Sequence, residues 1–154
     1  MIVRQLQSHE LDSTVVLFNY YKEEAIEAFP SRAHEYDENS IIETIRNLSI
    51  HHTSIWLNLY EGQRPVGFIA GALAPIPWNK NLSSAHIYFL FVLPSHRSME
   101  SVQMLVDEFE SWAKNCKCCQ ITGGDIGINL ERTKKIYNHL GFRESVLMIK
   151  ELPE

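Results

Sequence analysis

No run of lysines and arginines interrupts this sequence. Its 14 basic residues are scattered among 19 acidic ones, for a formal net charge of −5. Recognition of a nucleic-acid backbone rests on clustered cations, so no nucleic-acid partner is expected, and the acidic balance suits a cationic or neutral one. Long apolar runs are missing as well. No window approaches the ~20 residues a membrane-spanning helix needs, and the opening MIVRQLQSHE lacks the apolar core of a cleavable signal. Cysteine is scarce: Cys116, Cys118 and Cys119 are the whole complement. An odd number crowded into one stretch points to a reducing compartment and not to a disulfide framework. No second Cys or His pair stands at zinc-ligand spacing, so no metal is expected, and the three thiols are expected in a buried strand. Repeats, low-complexity tracts and linkers are absent too. A soluble, cytoplasmic protein with no membrane partner follows, built as a single domain over residues 1–154.

What is present is a clear change of period along the chain. MIVRQL alternates as a first strand, and a helical pattern opens at Ser8 or His9, with Leu11, Val15, Phe18 and Ala25 near one face and Pro30 ending it. A loop leads to a second helix capped by Asn39 or Ser40, in which Ile41, Ile45 and Leu48 repeat. From residue 53 the period becomes that of strands. TSIWLNLYE, the turn GQRP and VGFIAGALAPI form a hairpin. PWNKNLSS reads as a polar loop, and AHIYFLFVL as a central strand covered on both faces. Val102, Leu105, Val106, Phe109, Trp112 and Ala113 make a strongly amphipathic helix. CCQITGG is a short strand, NLERTKKIYNHLGF a last helix and SVLMIKEL a closing strand. The order β-α-α-β-β-β-α-β-α-β is a mixed α/β pattern, neither doubly wound nor a sandwich.

Two stretches bear chemistry. In FVLPSHRSMESV, residues 91–102, a strand end, a Pro turn and a helix start aim unpaired N–H groups and the positive end of a helix dipole at one spot, with Arg97 beside them. Ser98 and Ser101 are small and carry hydroxyl donors. The same residues equally describe a plain strand-to-helix turn, with Ser98 as N-cap and Ser101 completing the first turn. In the last helix, Tyr137 shares a face with Leu130, Thr133, Ile136 and Leu140. Its hydroxyl suits either an acid catalyst or the rim of a core.

Taken together, a strand ending VLPxxR, an amphipathic helix, a short strand and then IYxxLGF resemble the GNAT superfamily of N-acyltransferases over nearly the whole chain. Within it the chain is most similar to small acetyltransferase-like proteins of tailed phages, which share the YD, VGFiaG and LERxxkxY segments. The resemblance implies a twisted, mostly antiparallel mixed sheet flanked by helices. It would splay where AHIYFLFV meets CCQITGG to admit an extended thiol cofactor. It also implies acetyl-CoA as co-substrate and a primary amine as acceptor. By position, Phe91 and Val92 would present backbone to the pantetheine arm. Arg97, Ser98, Met99, Glu100, Ser101 and Val102 would hold the pyrophosphate, and Tyr137 would protonate the leaving thiolate. A phage origin would put the protein in the host cytoplasm or the virion.

The sequence departs from the family in two places. Where the family has R-G-x-G-x-G/A, this chain has Arg97-Ser98-Met99-Glu100-Ser101-Val102. By the resemblance the Glu100 carboxylate would face a dianion, and at roughly 6 Å each like-charge pair would cost on the order of 1–3 kcal/mol. Swinging into solvent would reduce that to a weakening. The strand glutamate that serves many members as general base is replaced by His86, a sound base near neutral pH that also reads as a strand-end histidine facing solvent. Asp125 and Glu131 are remoter candidates, and an ordered water is another. The glycine-free loop therefore keeps a second function open: a catalytically inactive GNAT-fold binding or assembly module, in a phage particle or against a host protein. Phe29, Tyr36 and Trp78 would supply its contact patch. Trp78 equally suits a wall of the acceptor pocket. A homodimer or a protein partner is compatible with either function.

Overall fold

The computed structural model describes residues 1–124 and 129–145, with 148, 150, 152 and 153, the side chain of residue 130 excepted. Asp125 and half of the closing strand expected over 145–152 lie outside the described residues. The elements are β1 (Ile2–Gln5), α1 (Leu11–Ala28), α2 (Glu38–Ile50), β2 (Ser54–Glu61), β3 (Arg64–Ile76), β4 (Asn79–Val92), α3 (Met99–Asn115), β5 (Cys118–Thr122) and α4 (Leu130–His139). Short 3₁₀ turns occupy Ser8–Glu10, Pro30–Glu35 and Pro94–His96. The strands form one sheet in sequence order. β1 to β4 pair antiparallel, and β5, reached through α3, joins β4 in parallel. This is the expected mixed, mostly antiparallel sheet.

Strand alternation sorts the core into two layers. Trp56, Phe68, Phe89 and Phe91 meet Phe18 and Tyr21 of α1 in one aromatic cluster, with Phe18 lying 5.8 Å from Phe68 and 5.2 Å from Phe89. The opposite face takes α3, whose Leu105, Val106, Phe109 and Ala113 are buried. Gly71 explains how α3 sits so close. A Cβ there would lie 2.0 Å from the His86 carbonyl oxygen and 2.9 Å from the Phe109 ring. Only glycine lets β4 and Phe109 close on β3 at that point.

Polar groups join β1, α1 and β2 on the aromatic face. Asn58 is fully buried; its Oδ1 accepts from Trp56 Nε1 at 2.9 Å and its Nδ2 donates to Thr14 Oγ1 at 2.8 Å and to the Tyr60 hydroxyl at 3.1 Å. Tyr60 donates in turn to Glu10 at 2.8 Å, and Glu10 pairs with Arg4. Every member of the chain has a partner, which is the condition under which buried polar groups stabilise.

Several expectations are corrected. Residues 79–84 belong to β4 and are not a loop. Ser83 and Ser84 pair with Pro75 and Ala74, and the hairpin turns over Pro77 and Trp78 alone. α2 is capped by Asp37, whose side chain accepts from the Ser40 N–H at 2.8 Å, and not by Asn39 or Ser40. The cysteines are not buried: Cys116 and Cys118 are half-buried and Cys119 is exposed, because β5 is an edge among the described strands. The face of α1 also runs further round than Leu11, Val15 and Phe18, taking in Thr14, Leu17 and Tyr21. β4 is flanked by β3 and β5 but is not covered throughout, since Tyr88 is 52% exposed. Tyr36 packs against the core and does not stand free in a contact patch, whereas Trp78 is 86% exposed at the hairpin tip. No described helix is long and apolar enough to cross a membrane.

Candidate active site

Among the described strands, pairing stops short between β4 and β5. β5 pairs with β4 from Ser83↔Cys118 to His86↔Thr122, and there β5 ends while β4 runs on to Val92. Beyond His86 the β5-facing edge of β4 has no strand beside it among the described residues. A bulge sits just past the parting. Gly71 is opposite Ile87 and Ala70 is opposite Phe89, so Tyr88 has no counterpart on β3. The extra residue puts His86, Tyr88, Phe89 and Phe91 on the α1 side. It also turns Tyr88 outward. The Leu93 N–H donates to the Val66 carbonyl at 2.8 Å. By the alternation of an antiparallel ladder, Phe91 turns its backbone groups toward β3, while Leu90 and Val92 turn theirs to the open edge. Of the predicted pair Phe91 and Val92, then, the open edge carries the second, and Leu90 joins it.

At the end of β4 the chain reverses through Leu93 and the Pro94–His96 turn into α3. Arg97 fixes this reversal: its Nε donates to the Val92 carbonyl at 2.8 Å, its guanidinium pairs with Glu24 of α1 at 2.5 Å, and it lies over the Phe91 ring. The guanidinium is therefore occupied with structure. Ser98 is the N-cap, its Oγ accepting from the Ser101 N–H at 3.0 Å, and the Ser98 carbonyl accepts from the Val102 N–H at 3.2 Å. The buried Ser101 hydroxyl donates to the His96 carbonyl at 2.8 Å. Both serine hydroxyls thus build the turn. Met99 and Glu100 occupy the first two helical positions, where no intrahelical acceptor exists for their N–H groups. Ser98, Met99 and Glu100 are all exposed. No described side chain or backbone group holds the Glu100 carboxylate. Val102 is half-buried against the core.

Tyr137 reaches the fork from α4. The position a Gly123 Cβ would take is 3.1 Å from its hydroxyl and 3.5 Å from the Ile87 Cβ, and the hydroxyl lies 3.4 Å from the Gly124 carbonyl. The phenol therefore stands beside the glycines at which β5 leaves β4. Gly141 makes this possible. At φ +86 it ends α4 and returns Phe142, whose N–H donates to the Tyr137 carbonyl at 2.9 Å and whose ring meets the Tyr137 ring edge-on at 5.0 Å. His86 projects from the opposite face of the sheet to its neighbour Ile87. Its Nδ1 is 2.8 Å from Thr122 Oγ1 and its ring meets Tyr88 edge-on at 5.2 Å. Half-buried and tethered, it is not the free strand-end histidine that its sequence position also allowed. Glu131 is exposed in the first turn of α4. Thr122, Tyr88 and Leu90 were not among the residues singled out from sequence; a bulge and a parallel register leave no local signal.

The pairing of two parallel strands thus stops after His86↔Thr122, and β4 runs on to a turn and the capped N-terminus of α3, where the Met99 and Glu100 amides have no intrahelical acceptor. The chain belongs to the acetyltransferase (GNAT) family, whose model matches residues 15–142. Solved structures agree on the architecture. An aminoglycoside 6′-N-acetyltransferase from Acinetobacter haemolyticus is 16% identical with a TM-score of 0.76, over 100% of this chain and 99% of that one. An aminoglycoside 6′-N-acetyltransferase in complex with a CoA-linked bisubstrate analogue is 15% identical with a TM-score of 0.73, over 99% and 97%. A ribosomal-protein-alanine N-acetyltransferase from Brucella melitensis biovar Abortus is 15% identical with a TM-score of 0.72, over 98% and 100%. At such identities the likeness fixes the fold alone. No curated protein matches the sequence.

Proposed function

We propose that the chain, as a single domain, is an N-acetyltransferase that moves the acetyl group of acetyl-CoA to a primary amine by direct attack in a ternary complex. The observation that carries this is the parting of β4 from β5 immediately after His86↔Thr122, with Tyr137 beside it. Pantetheine would lie along Leu90 and Val92 as a strand does, and the pyrophosphate would meet the N–H groups of Ser98, Met99 and Glu100. The amine would approach from the α1 side, where His86 and Tyr88 stand. His86 takes one proton from the ammonium and passes it to solvent. The amine nitrogen then forms the C–N bond as the C–S bond breaks. The thiolate takes the Tyr137 proton, and the phenolate recovers a proton shed by the new amide nitrogen.

Two measurements test this. Calorimetric titration with acetyl-CoA should show binding at micromolar concentrations, tightened about ten- to a hundredfold in Glu100→Gly by removal of the like charge. Tyr137→Phe should lower turnover on an amine panel by about 10²–10⁴ while acetyl-CoA affinity stays within a factor of a few. No binding by the native chain, with binding gained by the glycine variant, would instead identify an inactive binding or assembly module. Unchanged turnover in Tyr137→Phe would remove the acid.

A further inference from the structure

We propose that Thr122 is a positioning residue for His86, accepting a hydrogen bond from Nδ1–H and so keeping the lone pair of the neutral imidazole on Nε2. The inference rests on the acetyl-transfer reading above and adds to it a residue with no chemistry of its own. β4 and β5 run parallel, and His86↔Thr122 is their last registered pair. Partners in a parallel register leave the sheet on the same side, which brings Thr122 Oγ1 to 2.8 Å from Nδ1. The bulge adds Tyr88 to that side, its ring edge-on to the imidazole at 5.2 Å and 74°. The ring is thus held on two sides, and no described residue partners Nε2.

A threonine hydroxyl can donate or accept, so the bond has two possible senses. If Oγ1 donates to Nδ1, the proton sits on Nε2 and the ring cannot act as a base at its free nitrogen. If Nδ1–H donates to Oγ1, Nε2 is basic, and the bond persists unchanged when Nε2 takes a proton. It also strengthens, because the donor becomes charged. The first sense requires the bond to break and the hydroxyl to rotate in every catalytic cycle; the second does not. The site lies where the sheet parts, so the imidazole is fixed at the place where the amine must lose its proton.

The test uses the whole 154-residue chain with Thr122→Val, which keeps the β-branched shape, and Thr122→Ser, which keeps the hydroxyl. Nitrogen-15 correlation spectra at about pH 8, above the ordinary imidazole range, report which His86 nitrogen carries the proton. The expected result is Nδ1–H in the native protein and in Thr122→Ser, and a shift of population to Nε2–H in Thr122→Val. Turnover in Thr122→Val should fall roughly tenfold or more, a part of the ~10²–10⁴ that a positioned base contributes. KM for acetyl-CoA should be unchanged, and Thr122→Ser should stay within about threefold of native. Nε2–H in the native protein, or Nδ1–H surviving in Thr122→Val, overturns the proposal while leaving acetyl transfer standing. Absence of acetyl transfer by the native protein across the amine panel overturns the reading beneath it, and this proposal falls with it.

Discussion

Replacing Glu10 with glutamine should remove a pH-dependent part of the protein's stability, and the structure sets its size. Glu10 ends the 3₁₀ turn that leads into α1 and gathers three donors. Arg4 of β1 reaches it with both terminal nitrogens, one at 2.9 Å. The Gln7 N–H follows at 3.0 Å and the Tyr60 hydroxyl at 2.8 Å. These bonds, that from Arg4 foremost, hold its carboxyl down at about 2, against an ordinary value of 4.5. A depressed carboxyl pKa stabilises the fold in full above the unfolded value and loses that contribution as pH falls through the folded one. At 1.36 kcal/mol per unit the contribution at pH 7 is about 3 kcal/mol. Arg4 is 39% exposed, and the water on its outer side trims this toward about 2 kcal/mol.

Glu10→Gln keeps the shape and still accepts from Gln7 and Tyr60, so the difference between the two proteins isolates the charge. Urea unfolding at pH 7 should show the variant less stable by about 2–3 kcal/mol. By pH 3 less than half of that gap should remain, and near pH 2 it should close. A gap that is the same at pH 3 and pH 7 would refute the electrostatic account and leave the loss to packing. Raising the salt concentration should shrink the gap only slightly, because the carboxylate itself is only 12% exposed.

Gly71→Ala places a methyl 2.0 Å from the His86 carbonyl and 2.9 Å from Phe109, and neither can give way cheaply. A loss of about 3 kcal/mol or more is expected in urea unfolding, and a change under 1 kcal/mol would show that β4 does not lie that close. Gly141→Ala meets nothing within 4 Å, so its cost is conformational alone, from φ +86. About 1 kcal/mol is expected. A neutral or stabilising result would mean that α4 does not end in a left-handed residue.

The elements were legible because each is written in a local period, and their arrangement because a family pattern accompanied them. What sequence could not supply is what depends on register. The fork at Thr122 is an example: its hydroxyl meets His86 across 36 positions, and nothing in CCQITGG distinguishes that threonine from a surface one. Asn58 and Thr14 were invisible as core residues for the same reason, since a buried amide is affordable only with distant partners in place. Residues 79–84 looked like a loop because both their faces are largely wet, yet backbone pairing to β3 makes them strand whatever their side chains do. The turn at 97–102 is the instructive case, since its two sequence readings competed and the cap that one of them predicted does not consume the amides that the other needs. Ser98 caps the helix by taking the Ser101 N–H, and a cap consumes only that donor. The amides of Met99 and Glu100 have no intrahelical acceptor, so a capped helix start still leaves the donors that the proposed pyrophosphate contact calls for. Glycine is then dispensable for forming the turn, and under the proposed function its absence bears only on how near a phosphate would come past the Glu100 side chain.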